Sequence, residues 1–148
     1  MTMQYSQGRL GRVFLVKFEN KDDILRSLEG FVRKERLKSA VLVFLGAFRK
    51  GQLVTGPQKA VVPPEPNWKT FDDGWEVMGV GTVFSGKKGP QIHMHAAMGK
   101  KDKALTGCVR KKVEVFMVIE AVVFELKGVK AGKEIDPRTG LNLLKILR

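Results

Sequence analysis

The chain has two histidines and one cysteine, and their placement is the part of the sequence that could do chemistry. His93 and His95 sit two apart in Gln91–Met98 (QIHMHAAM), which reads as a strand. Alternate residues of a strand share a face, so the two imidazoles converge side by side while Ile92, Met94 and Ala96 turn toward the core. Paired imidazoles suit a borderline metal such as Zn²⁺. Cys108 lies on the next β-segment, Leu105–Val109, after a lysine-rich turn. If the two segments pair, its thiol reaches the histidine face. Two imidazoles and a thiolate form a three-ligand set with one open position, the pattern of catalytic rather than structural zinc. Thiolate with imidazole favours Zn²⁺ or another transition metal over Mg²⁺ or Ca²⁺. The plainer readings are a half-exposed polar pair for the histidines and a small buried hydrophobe for Cys108.

The carboxylates are less specific. Glu76, Glu114, Glu120 and Glu125 fall in β-rich stretches. Each could be a general base, a partner that orients a histidine or half of an ion pair. No Ser-His-Asp arrangement is forced, and no GxxxxGK[ST] loop is present. Gly79-Val-Gly81 lies inside a predicted strand rather than opening a helix, so it is not a dinucleotide-binding turn.

The elements that must position these residues follow from periodicity. Arg12–Phe18 (RVFLVKF) reads as a strand. Asn20 offers a helix N-cap, with Asp22 and Asp23 in the first turn. Ile24, Leu25, Leu28, Phe31 and Val32 recur at helical spacing, which predicts an amphipathic helix over residues 21–36 with Arg26, Arg33, Lys34 and Arg36 on its other face. Ala40–Ala47 is a continuous apolar run, the pattern of a strand buried on both faces. Gly51–Thr55 offers another short strand. Gly56–Thr70, with Pro57, Pro63, Pro64 and Pro66, reads as a long loop with extended pieces that holds Trp68. Trp75–Phe84 and Gln91–Met98 form a hairpin around the turn Ser85–Pro90. Glycines inside the first of these strands suggest a bulge or a close backbone approach. Val113–Leu126 is a long β-rich run bent near Glu120, Asp136–Gly140 is a turn and Leu141–Leu147 an apolar tail. The expected fold is α+β: a mostly antiparallel sheet with one main helix packed on it.

Length and composition agree with one domain over residues 1–148. Hydrophobic residues make up 43% and charged residues 28%, a globular balance. A single cysteine excludes a disulfide scaffold. The longest apolar runs fall well short of the roughly 20 residues that span a bilayer as a helix. Met1–Leu10 is polar without an apolar leader core, so a cytoplasmic location with no membrane partner is expected. Lys and Arg number 27 against 15 acids, for a net charge of +12. Such a balance favours polyanions, or simply provides a solvated basic face. The basic residues cluster at Lys87 and Lys88, at Lys100, Lys101 and Lys103, at Arg110, Lys111 and Lys112, and at Lys127, Lys130 and Lys133. Those on hairpin turns could form a rim that meets phosphates, and binding of that kind would be nonspecific and salt-sensitive. No reading helix, zinc-finger spacing or RNP-type aromatic pattern accompanies them.

Several stretches taken in order resemble the plants and prokaryotes conserved (PPC) domain family. They are residues 11–48, WEVMGVGTV at 75–83, QIHMHAAM at 91–98, TGC at 106–108 and DPRTGL at 136–141. No single piece is highly specific, but the ordered set is. The resemblance implies a single domain with a mostly antiparallel sheet that assembles as a homotrimer. It also implies a DNA-associated role, because plant relatives join this domain to AT-hook motifs and stand-alone prokaryotic relatives carry a DNA-binding label. This chain departs from the pattern twice. It lacks the Arg-Gly-Arg-Pro core of an AT-hook; the nearest text is Gly8-Arg9-Leu10-Gly11-Arg12. Where the family often has a histidine after Gly-Gly, it has Cys108 after Thr106-Gly107. Cysteine and histidine are both zinc ligands, so the change keeps a metal-binding set. The expectation is a trimeric, metal-binding PPC-type domain with DNA association through phosphate contacts. The alternative is a hydrolase-like enzyme that uses an open His/His/Cys metal site.

Overall fold

The computed structural model describes residues 3–147. Eight strands and one helix follow in the order β1 (Arg9–Glu19), α1 (Ile24–Lys34), β2 (Ser39–Pro57), β3 (Pro66–Phe71), β4 (Trp75–Gly86), β5 (Gly89–Lys100), β6 (Lys103–Lys127), β7 (Ala131–Ile135) and β8 (Asn142–Ile146). All pairings are antiparallel except a single parallel bridge between β4 and β7. The sheet closes on itself. β2 pairs with β4 on one side and β6 on the other, and β5 joins β4 to the first part of β6. β1 lies on the second half of β6, and β3 on the second half of β2.

The helix packs on β5 and β6 through Ile24, Leu28 and Val32, all buried. Its core-facing spacing matches the expected pattern, but its ends do not. It runs over 24–34, not 21–36. The N-cap is Asp23, whose carboxylate accepts the Arg26 N–H at 3.0 Å. Asn20 caps a different element: its Oδ1 accepts the backbone N–H of Met117 at 3.0 Å and an Arg49 N–H at 2.8 Å. Met117 needs this acceptor because β6 bulges there, with Met117 at φ +59° and a register shift against β2 between Gly46 and Ala47. The bend expected near Glu120 therefore sits at Met117. At the other end, the Leu37 N–H returns to the Val32 carbonyl and the Arg36 N–H to that of Arg33, with Arg36 at φ +55°. That is a Schellman ending in which arginine occupies the left-handed position usually held by glycine.

Several further expectations are corrected. β2 is buried on one face only: Leu42 and Phe44 are in the core, whereas Val43 and Leu45 are exposed. Residues 51–55 continue β2 rather than forming a separate strand, and the two β-segments after residue 103 are one strand, β6. The proline-rich stretch does hold an extended piece, β3, which carries Trp68. The apolar tail forms β8 against β7.

The hairpin glycines make the ring possible. Gly81 and Gly79 of β4 face Leu42 and Phe44 of β2. A Cβ on Gly81 would meet Leu42 Cδ2 at 2.6 Å and Met94 Cγ at 2.7 Å. A Cβ on Gly79 would overlap the Phe44 ring and the His95 carbonyl oxygen. Close approach, one of the two readings of these glycines, is what the packing uses. Phe48, Leu53, Val113, Val115, Ile119 and Val123 complete the sealed centre of the core.

Candidate metal centre

β5 and β6 build the candidate site. Along β5, Met94 and Ala96 are buried, which turns His93 and His95 together to the other face, where both are exposed. The two imidazoles stand edge to face with centroids 4.9 Å apart. Their Nε2 atoms approach to 3.1 Å. His95 is the direct cross-strand partner of Cys108, so the pairing on which the thiol's reach depends is present. Cys108 is 5% exposed and unbridged. One ligand atom from each of His93, His95 and Cys108 lies within 4.8 Å of the other two.

That geometry fits an ion. Nitrogens bound at about 2.0–2.1 Å to a tetrahedral Zn²⁺ stand roughly 3.3 Å apart. The two Nε2 atoms are already at 3.1 Å, and the thiol needs only a short inward movement. The donor set also suits the metal: imidazole and thiolate are zinc ligands of the borderline-soft kind. Although its ring is partly exposed, partial desolvation against the sheet lowers the His93 pKa, and the neighbouring His95 ring and the charges of Lys133 and Arg110 lower it further. A neutral imidazole is the ligating form. Burial pushes the Cys108 thiol up, opposed by Arg110 and Lys133, so the thiol would have to give up its proton to ligate an ion.

None of the four carboxylates weighed from the sequence joins this group. Glu125 is an ion-pair residue: its carboxylate accepts the Arg12 backbone N–H at 3.0 Å and the Arg12 Nε–H at 2.9 Å. Glu114 pairs with Arg49 at 3.0 Å and Lys50 at 3.5 Å. Glu76 and Glu120 are exposed. Glu120 and His95 are instead two of the few polar residues on a groove of about 830 Å³, whose apolar lining includes Leu15, Val43, Leu45, Met78 and Val80.

The basic residues divide. Lys87 and Lys88 occupy the β4–β5 turn, while Lys100, Lys101 and Lys103 flank the β5–β6 turn. The 12 residues of β5 separate these turns, a span of roughly 35–40 Å at about 3.3 Å per residue. They do not form one rim. Lys100 is held by Asp73, through its main-chain oxygen and at 2.7 Å through its carboxylate. Arg110, Lys111 and Lys112 are exposed on β6, with the Lys111 ammonium 5.5 Å from the Trp68 ring centre. Lys133 differs from all of these. It is buried, at 9% exposure, and its charge acts on both His93 and Cys108. By sequence it falls in one basic cluster with Lys127 and Lys130, because nothing in a lysine-rich segment marks one side chain as internal.

Residues 5–127 match the Plants and Prokaryotes Conserved (PCC) domain. The chain belongs to this family. Among solved structures it is similar to a metal-containing protein from Archaeoglobus fulgidus, with 25% identity, a TM-score of 0.85 and coverage of 99% of this chain and 100% of that one. A plant- and prokaryote-conserved protein from Pyrococcus horikoshii shares 23% identity at a TM-score of 0.85, covering 99% of both chains. A protein from Ralstonia eutropha JMP134, named as a "Putative DNA-binding protein", shares 19% at a TM-score of 0.72 over 90% of each. The last two likenesses concern the fold alone. No curated protein matches the chain by sequence. Among the described residues no helix is long and apolar enough to cross a membrane.

Proposed function

We propose that residues 1–148 act as one metal-binding domain that assembles as a homotrimer, with His93, His95 and Cys108 holding Zn²⁺ or another transition metal. The observation that carries this reading is the convergence of the two Nε2 atoms at 3.1 Å beside the Cys108 thiol. The metal-containing relative from Archaeoglobus fulgidus supports it. In this arrangement β5 fixes the imidazole pair, and the β5–β6 register brings the thiol to it. Such an ion, when bound, supplies Lewis-acid chemistry. The imidazoles lie on the exposed side, so an ion held there would be reachable from solvent. That arrangement favours the hydrolase-like alternative, with no substrate assigned. The exposed apolar side chains of Leu15, Val43, Leu45, Met78 and Val80 support assembly, since a contiguous apolar patch of this kind marks a contact surface.

The test is metal content by plasma mass spectrometry on protein purified without a histidine tag. About one transition-metal ion per chain is expected, falling sharply in Cys108→Ser. Full stoichiometry in that variant removes the cysteine from the site. No metal after reconstitution ends the reading.

DNA association is the second reading. It rests on the net charge of +12, the exposed Lys87, Lys88, Arg110, Lys111 and Lys112, and structural neighbours named as putative DNA-binding proteins. Binding would be through phosphates and would weaken steeply with salt. Absence of any mobility shift at about 50 mM salt ends it.

A further inference from the structure

Val109 and Val113 of β6 are both buried. Regular strand alternation would turn Lys111 inward with them. Instead Arg110, Lys111 and Lys112 are all exposed, and the register shows how. β6 runs from Glu114 to Lys111 while β2 goes from Lys50 to Gln52, and from Lys111 to Val109 while β2 goes from Gln52 to Leu53. Each step leaves one extra residue in β6, so two bulges fall within one short stretch. Lys112 takes a left-handed conformation, φ +50°, that glycine usually supplies. Bulges re-aim side chains, and these present three successive cations outward. Among the described residues none of the three forms an ion pair or a side-chain hydrogen bond. Glu114, the nearest acid along β6, is engaged by Arg49 and Lys50.

The residue that the bulges bring out, Lys111, meets an aromatic ring. Its ammonium lies over Trp68, 5.5 Å from the ring centre. Trp68 stands on β3, the end strand of the sheet, opposite Val54 of β2. Val54 lies two residues along β2 from Gln52, the partner of Lys111, so both pairs share a face. Trp68 is 43% exposed. Of the basic clusters read from the sequence, this is the only one, among the described residues, with a cation over an exposed tryptophan. Such a combination is the one that binds single strands: the ring offers its π-face to an unpaired base, and the cations meet the phosphates. A duplex cannot use the ring, because its bases are already stacked on one another.

We propose that Trp68 with Arg110, Lys111 and Lys112 binds single-stranded nucleic acid, an unpaired base stacking on the indole while the adjoining phosphates meet the three cations. This inference rests on the nucleic-acid reading above and names its ligand class and its place on the molecule. Recognition of this kind tolerates any sequence, because every base has a π-face.

The test titrates the whole chain into a labelled oligothymidylate of about 12 nucleotides, within the site sizes of stacking surfaces, followed by fluorescence anisotropy. A labelled duplex of the same length is titrated in parallel, both at about 50 mM salt. The single strand is expected to bind more tightly than the duplex. Trp68→Ala is expected to weaken single-strand binding by about tenfold or more, as the loss of one stacked base does, with no loss of melting temperature. Trp68→Phe is expected to retain it within a few-fold. Combining Arg110→Gln, Lys111→Gln and Lys112→Gln should flatten the slope of log K against log salt by about 2, at roughly 0.7 for each phosphate contact. The bound strand should also quench the tryptophan emission of the wild type, and Trp68→Phe, which keeps Trp75, should lose that quench. A duplex bound as tightly as the single strand, or a Trp68→Ala variant that binds the single strand as well as the wild type does, overturns the inference and leaves the phosphate reading standing. A labelled oligoglutamate bound through Trp68, with no binding of the single strand, overturns it and assigns the face to an acidic peptide. No binding of either nucleic acid overturns both readings.

Discussion

Glu125 offers a stability prediction that can be worked through from its contacts. β1 shifts register against β6 between Leu10 and Val13, which frees the Arg12 N–H from the ladder. The Glu125 carboxylate accepts that N–H and two guanidinium N–H groups, at 3.0, 2.9 and 3.2 Å. Arg12 also donates to the Glu35 carbonyl at the helix C-cap, so the pair ties β1, β6 and α1 together. Its side-chain and backbone hydrogen bonds from Arg12 hold the Glu125 carboxyl at about 2, against an ordinary value of 4.5. At about 1.4 kcal/mol per pH unit, the gap sets an upper bound of roughly 3 kcal/mol. The Arg12 side chain is 45% exposed, and solvent screening reduces the net contribution to about 1–2 kcal/mol. Because the folded-state pKa is depressed, this stability is present in full above the unfolded value near 4.5 and fades as the pH falls toward 2. Glu125→Gln keeps the shape but replaces one acceptor oxygen with an amide that faces donors. It should destabilise by about 1–2 kcal/mol at pH 7, a fall in melting temperature of roughly 3–6 °C for a domain of this size. Urea unfolding of both proteins at pH 7, 5 and 3, at one protein concentration, reads the difference. The gap should hold from pH 7 to 5 and narrow by pH 3. A gap that stays constant across this range, or a variant as stable as the wild type at pH 7, would refute the ion-pair account.

Two further outcomes follow from the packing around β4 and β5. Gly79→Ala drives a methyl group into the His95 carbonyl and the Phe44 ring. It should cost about 1–3 kcal/mol and lower metal retention along with stability, both measurable on one purified sample. Leu45→Asp places a charge on the exposed apolar groove, where the native side chain is 57% exposed. It should leave the monomer folded by circular dichroism while reducing the light-scattering mass to one chain. An unchanged mass assigns assembly to another face.

The parts of this molecule that were legible in the sequence are those set by local periodicity. Ile24, Leu28 and Val32 mark a helix face, and the alternation of His93, Met94, His95 and Ala96 assigns sides to β5 without reference to any neighbour. Features decided by tertiary pairing were not legible. Asn20 before two aspartates looks like an N-cap, but its acceptor goes to Met117, almost a hundred positions away. Arg36 ends the helix in a conformation that sequence assigns to glycine. The polar run Arg110-Lys111-Lys112 divides β6 on paper, yet the strand continues through it because β2 pairs alongside, with Gln52 opposite Lys111. Val43 and Leu45 read as core because they are apolar, and only the closed ring shows that they point outward. Within the candidate site, the histidine pair follows from strand period and Cys108 from register.

His95 belongs to two surfaces at once. Its Nε2 meets His93 in the candidate ligand trio, and the residue also lines the apolar groove with Leu45, Met78 and Val80. If the groove is where copies of the chain meet, a neighbouring copy would cover one side of the imidazole pair and displace water from it. Electrostatic interactions strengthen as water leaves, so assembly would favour an ion held by the trio. The dependence also runs in reverse by linkage: an ion that binds the assembled form more tightly stabilises assembly by the same factor. Leu45→Asp then becomes a probe of the metal centre although Leu45 is not one of its ligands. Chelation becomes a probe of oligomeric state. Two independent surfaces would give a variant monomer with wild-type metal content, and a shared one would give a monomer that loses metal more readily than its fold.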